Sequence, residues 1–217
     1  MKTRKDKLVI LEDFLDLETG EIDKASFEYE NTLYDKAVQM KSLNNKIRKC
    51  SLCPGMNIKR YTECCPGWGN LNSKVFFIGQ SLHTPGIMSD IPFILGCGYV
   101  LDASLRLSGL LRKDVFISNT VHGHPPGNRA STDEEKTNCL RHLMTEIEIV
   151  KPELLVALGN DAQWTIKEMA MTGFCTGVNK VYCIKHPASF MYASSELRID
   201  WIIKLSLEID KVYKDES

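Results

Sequence analysis

The sequence has almost no net charge: 27 lysines and arginines face 28 aspartates and glutamates, leaving a formal charge of −1. No global field therefore draws the chain to nucleic acid, and any such contact has to rest on a local basic or polar face. Long hydrophobic runs are missing too. Nothing approaches the roughly 18 apolar residues of a membrane span. Met1-Lys2-Thr3-Arg4-Lys5 leads into acidic sequence rather than the apolar core of a signal peptide. No membrane role is expected, and the protein is expected inside the cell. At 217 residues, 43% of them apolar and 25% charged, the chain is long enough to bury a core of its own.

Cysteine, by contrast, is plentiful. Eight cysteines in a reducing compartment point to metal ligands or buried thiols rather than disulfides. "CSLC" sets Cys50 and Cys53 in C-x2-C spacing, Cys64 and Cys65 follow as a pair, and Cys139 stands far downstream. Cys97, Cys175 and Cys183 lie among apolar or small neighbours and are expected as core thiols.

Residues 1–30 are acidic and weakly patterned, and the spacing of Leu33, Ala37, Met40 and Leu43 predicts a helix over about 32–49. Residues 54–73, rich in Pro, Gly and Asn, predict an irregular segment that needs a staple, which a metal would provide. Beyond it the chain alternates. "KVFFIG", "DVFISNTV", "ELLVALG" and "KVYCIKHP" read as strands. "GYVLDASLRLSGL", "STDEEKTNCLRHLMTEIEIV", "NDAQWTIKEMAM" and about 195–212 read as helices. The second of these helices opens on Ser131 or Thr132 with Glu134 or Glu135, the pattern of a capping box. Apolar strands alternating with helices predict an α/β fold, a three-layer α/β/α arrangement around a mostly parallel four-stranded sheet. A helical extension over residues 1–48 precedes the main domain, 49–217. Ligands of such sheets bind beyond the carboxyl ends of the strands, where "GQSLHTPG", "NTVHGHPPGNR" and "HPASF" lie.

These segments, in this order, resemble the uracil-DNA glycosylase superfamily and most closely its iron-sulfur branch, family 4. The resemblance runs from about Lys49 to the last helix. "CSLC" is similar to the family's N-terminal C-x2-C, "FFIGQSL" to its strand and GE-x-P loop, and "DIPFILGCGYVLD" to its G-x-PFVGRAG-x-LLD segment. "DVFISNTV" with "PPGNR" is similar to "VYITNVVKCRPPGNR", "LLVALGNDA" to "VVALG-x-x-A", and "KHPASF" to the HP motif. The resemblance implies a monofunctional glycosylase that flips uracil, or a 5-substituted uracil, out of DNA and hydrolyses its N-glycosidic bond. It implies that Phe93 stacks on the base, although a Phe so placed also suits a core. It implies that Asn119 reads the base edge and that His186 donates to the leaving anion. Backbone around Gln80 and Ser81 would contact base or water. Arg129 and Ser189 would approach phosphates, and Phe190 or Met191 would enter the duplex.

Three departures qualify the resemblance. The family's loop acids are missing from Gly79-Gln80-Ser81-Leu82-His83-Thr84-Pro85-Gly86. Gln80, His83 and Pro85-Gly86 are similar to the GQDPYH loop of family 1, but Ser81 stands where its catalytic Asp would fall, with His83 and Asp90 the nearest substitutes. Gly123, between His122 and His124, occupies the place of the third cluster cysteine. Cys50, Cys53 and Cys139 match the other three ligands, so Cys64 or Cys65 is expected as the fourth, with His122 or His124 the alternatives. The implied cofactor is a structural [4Fe-4S] cluster, with zinc the alternative. The long extension is the third departure and suits a protein partner. The rival reading is a catalytically impaired DNA-binding relative serving as a replication or repair scaffold. The resemblance places either in the cytoplasm of a prokaryotic or phage-infected cell.

Overall fold

The computed structural model describes residues 24–174, 178 and 180–213, without the side chains of residues 24–28, 84 and 85; Cys175 lies outside the described residues. The chain divides into two compact units between Asp35 and Lys36. The first contributes only the opening turns of helix α1 (Lys24–Arg48) to the description, and everything below belongs to the second. Met40, Leu43 and Ile47 of α1 are buried in the core of that second unit, so a helix that reads as an extension in the sequence supplies core side chains. Ala37, expected on the same face, is exposed.

The four predicted strands are present as β2 (Val75–Ser81), β3 (Phe116–Val121), β4 (Leu154–Leu158) and β5 (Lys180–Ile184), all paired in parallel. A fifth, β1 (Trp68–Gly69), adds an antiparallel edge to β3, giving the order β1-β3-β2-β4-β5. Two residues are too short to leave an alternation in the sequence. The helices are α2 (Thr84–Ser89), α3 (Gly98–Leu107), α4 (Asp133–Val150), α5 (Asn160–Met171) and α6 (Ser195–Tyr213). Of these, α2 carries no helical period and was not expected.

Side chains alternate along β2, with Phe76 and Ile78 facing one layer and Val75 and Phe77 the other. On the first face Leu140, Leu143 and Ile147 of α4 and Ala162 and Met169 of α5 close the core. On the second Val100, Leu101 and Leu105 of α3 meet Trp201, Leu205 and Ile209 of α6. Apolar residues on both faces are what a parallel sheet covered on both sides requires. At the head of α4 the capping box resolves to one pair: Thr132 Oγ1 accepts from the Glu135 amide at 3.2 Å, and Glu135 Oε2 accepts from the Thr132 amide at 2.9 Å. One expectation fails. Cys183 is exposed, not a core thiol, because β5 is the outer strand and only Tyr182 and Ile184 turn to the core beneath α6.

Candidate active site

The strand order reverses between β2 and β4, the place where open α/β sheets hold ligands. A cavity of about 490 Å³ opens there, lined by Gln80, Leu158, Asn160, Asp161, His186 and Ser189 among others. It brings together two of the predicted loops, those after β2 and β5, with the start of α5.

Beside it the strand ends build a small niche. Asn119 is 2% exposed and lies in register with Gly79 on β2, and its Oδ1 has no hydrogen-bond partner. Leaving a buried amide oxygen unpaired costs about 1–3 kcal/mol, a cost that a ligand's N–H would remove. A Cβ on Gly79 would fall 2.5 Å from that oxygen and 2.4 Å from the Phe93 ring, so only glycine lets amide and ring approach each other. Phe93 is buried, with φ 58, a left-handed conformation that a bulky residue adopts only under constraint. The constraint is Arg112. Its Nη1 donates to Pro92 O at 2.9 Å, its Nη2 to Phe93 O at 2.6 Å, and its Nε to Asp102 at 2.5 Å.

His186 completes the niche, its ring centroid 5.4 Å from that of Phe93. Burial first, and then the neighbouring His83, push its pKa down to about 4. Its Nδ1 accepts from the Ala188 amide at 3.2 Å, which leaves the proton of the neutral ring on Nε2. The structure thus holds a neutral imidazole with one free donor.

Of the loop residues, Gln80 and Ser81 are half-buried at the end of β2, and burial and then His124 lower the pKa of His83. Asp90 is engaged elsewhere, by the Arg48 guanidinium and the Cys65 thiol. Asp161, in the first turn of α5 and without a motif to mark it in the sequence, lines the cavity with an oxygen 3.7 Å from Lys136 Nζ. Arg129 forks onto Glu135 at 2.9 and 2.6 Å. Phe190 leans on Trp201, centroids 6.0 Å apart, while Met191 is 36% and Tyr192 97% exposed. Arg198 fixes that loop by donating to the carbonyls of Phe190, Met191 and Ala193.

The thiols lie at the opposite end of α1 from its start. Cys50 and Cys53 are half-buried, and Cys64, Cys65 and Cys139 are buried. Asn138, next to Cys139, donates to Cys53 Sγ at 3.5 Å. Burial, and then Cys139, Cys50 and Cys53, push the Cys64 thiol up to about 12, so the four sulfurs share one neighbourhood. Among the described residues no three Cys, His, Asp or Glu side chains close to the spacing of a single metal ion. His122 has another partner. Burial alone would lower its pKa, but Glu146, with Nε2 to Oε2 at 3.2 Å, and Cys139 raise it to about 10. That contact is an ion pair whose angle misses hydrogen-bond geometry. Glu146 in turn accepts from Ser118 Oγ at 2.5 Å and the Gly67 amide at 2.7 Å. His124 Nδ1 donates to Leu82 O at 2.6 Å.

Fold and site together define an open-sheet α/β protein with a cavity at the carboxyl ends of its strands. The family model "Uracil DNA glycosylase superfamily" matches residues 66–209. The chain belongs to that superfamily. It is 35% identical over 130 residues to a type-4 uracil-DNA glycosylase of Thermotoga maritima, covering 60% of this chain and 67% of that one. To a type-4 enzyme of Archaeoglobus fulgidus it is 30% identical over 172 residues, 70% of this chain and 85% of that one. Among solved structures, Pedobacter heparinus SMUG2 superposes with a TM-score of 0.50 at 13% identity, over 66% of this chain and 77% of that one, a likeness of fold.

Proposed function

We propose that this chain is a monofunctional DNA glycosylase that flips uracil, or a 5-substituted uracil, out of DNA and hydrolyses its N-glycosidic bond. The observation that carries the reading is the unpaired, buried Asn119 Oδ1 between Gly79, Phe93 and a neutral His186. The Asn119 amide offers an acceptor and a donor side by side, the complement of a uracil edge. The Phe93 ring would cover the base, and the His186 Nε2–H would meet negative charge developing on the leaving base without bringing a competing proton. Asp161 would hold the attacking water, since the first loop offers only Gln80, Ser81 and His83 and Asp90 is paired with Arg48. Ser189 would sit along the phosphates, and Arg129 would reach them only by giving up its fork onto Glu135. The relatives named type-4 uracil-DNA glycosylase support the substrate.

Cys50, Cys53, Cys139 and a fourth donor would hold a [4Fe-4S] cluster. A bound cluster would tie the irregular segment to α4 and supply no step of the hydrolysis. Zinc needs sulfurs near 2.3 Å from one ion, a closer set than the described residues form. The missing loop acids favour one rival, a non-cleaving DNA-binding relative, and one assay separates the two. A uracil-containing oligonucleotide is incubated with the wild type, His186→Ala or Asp161→Asn and then treated with alkali. Cleavage is expected for the wild type and a drop of about 10²–10⁴-fold for either variant. Wild-type protein that binds an abasic-site analogue but cleaves neither single- nor double-stranded uracil DNA would establish the scaffold instead.

A further inference from the structure

Four residues compete to complete the thiol set, and their surroundings differ. Cys65 belongs to a separate pocket with Leu82 and Ile87. Its thiol meets the Asp90 carboxylate, beside Arg48. His122 lies between Glu146 and Cys139, its Nε2 held by the carboxylate at 3.2 Å, and His124, its Nδ1 on the Leu82 carbonyl, lies beside His83. Cys64 alone has Cys139, Cys50 and Cys53 as its principal charged neighbours.

The loop carrying Cys64 is built to deliver it. Asn57, at φ 61, donates from Nδ2 to Arg48 O at 3.0 Å and Cys50 O at 2.8 Å, and accepts the Cys64 amide on Oδ1 at 2.9 Å. One side chain thus clamps the backbone of Cys50 to that of Cys64. Thr62 closes the same loop, its hydroxyl accepting from the Ile58 amide at 3.0 Å and donating to Gly55 O at 3.1 Å. The loop then lies directly on Gly123. A Cβ there would meet Met56 Cε at 2.7 Å, Thr62 O at 3.2 Å and Cys64 Sγ at 3.4 Å. The missing side chain at 123 is the space into which the Cys64 sulfur reaches.

We propose that Cys64, delivered by the Asn57-clamped loop into the space left by Gly123, is the fourth ligand of the metal centre with Cys50, Cys53 and Cys139. The assignment rests on the cluster reading above, and its test separates the two. Full-length Cys64→Ser, Cys65→Ser and Cys139→Ser chains are reconstituted with iron and sulfide without oxygen. Iron and acid-labile sulfide per chain are then measured, with the visible thiolate-to-iron absorption. Cys65→Ser is expected to keep the wild-type iron and band, and Cys64→Ser and Cys139→Ser to lose them. Cys64 and Cys65 are similarly buried, 6% and 3% exposed, so the cost of a buried hydroxyl falls on both variants and only ligation distinguishes them. Loss of iron from Cys65→Ser with retention in Cys64→Ser would overturn the assignment. A wild type that takes up zinc and no iron, and releases it on Cys64→Ser, would refute the cluster and support Cys64 as ligand. A wild type that holds neither metal would refute both. Should Cys64→Ser not fold, Cys64→Ala with Gly123→Cys presents a thiol to the same space from the strand end. That chain is expected to hold iron, and a folded double variant without it overturns the placement.

Discussion

A neutral histidine inside a protein is a pH-dependent group, and His186 makes the dependence measurable. Its pKa falls from 6.5 to about 4 on folding, so between those values the unfolded chain binds the extra proton. Its contribution to stability is complete above about pH 6.5 and is lost as the pH falls toward 4. Between pH 7.5 and pH 5 the loss should be about 2 kcal/mol from this one ring. Urea denaturation at the two pH values, wild type against His186→Asn, isolates that share from the neighbouring His83, which shifts the same way. Equal pH dependence in the two proteins would mean that the ring is not neutral when folded. The place of this residue was legible as a histidine at the end of a fourth strand, and that of Asn119 as an amide at the end of the second. The properties that give them chemistry, the missing partner of Oδ1 and the Nδ1 contact to Ala188, depend on packing that no spacing encodes.

Among the elements, the strands and long helices follow from apolar runs and from a 3.6-residue period, and the chain shows them with little shift of bounds. The loops were less legible, because their conformation is set by side chains distant in sequence. Arg112 lies in a turn, with no sign in the sequence that it holds Pro92 and Phe93 twenty and nineteen residues earlier. Arg112→Ala should cost about 2–4 kcal/mol by orphaning Asp102 and the carbonyls of Pro92, Phe93 and Gly98, a fall in Tm of about 5–10 °C by scanning calorimetry. Arg112→Lys keeps the charge but not the fork. Its Tm should recover while KM for uracil DNA stays raised, and a KM that recovers with Tm would make Arg112 structural only. The loop after β5 divides in the same way. The resemblance makes Phe190 or Met191 the wedge, yet the Phe190 ring leans on Trp201 and Tyr192 is far more open than Met191. Phe190→Ala should therefore lower Tm, with a loss of a few kcal/mol. Tyr192→Ala should leave Tm unchanged and slow uracil release from duplex more than from single strands, the pattern of a residue that fills the gap left by a flipped base. A duplex rate unaffected by Tyr192→Ala would return the wedge to Met191.

At the scale of the whole chain, the scarcity of net charge sets how the protein can hold DNA. A formal charge of −1 gives no long-range attraction, and two of the cations nearest the site are already committed. Arg129 is forked onto Glu135, and Lys136 pairs with Asp133 at 2.8 Å and lies 4.6 Å from the centroid of the Trp164 ring. Lys185 lines the cavity. Binding should then draw on few phosphate contacts and mostly on the niche around Asn119, Phe93 and His186. Each neutralised phosphate adds about −0.9 to the slope of log K against log salt concentration. Two or three contacts predict a slope of about −2 to −3, shallow for a DNA-binding protein. Fluorescence anisotropy with a duplex bearing an abasic-site analogue, across a salt series, measures it. A slope of about −6 or steeper would show a phosphate-tracking face that the pairing of Arg129 and Lys136 conceals. Repeating the series with Arg129→Gln would test that directly, since a committed arginine should leave the slope almost unchanged and a phosphate-binding one should reduce it by about one.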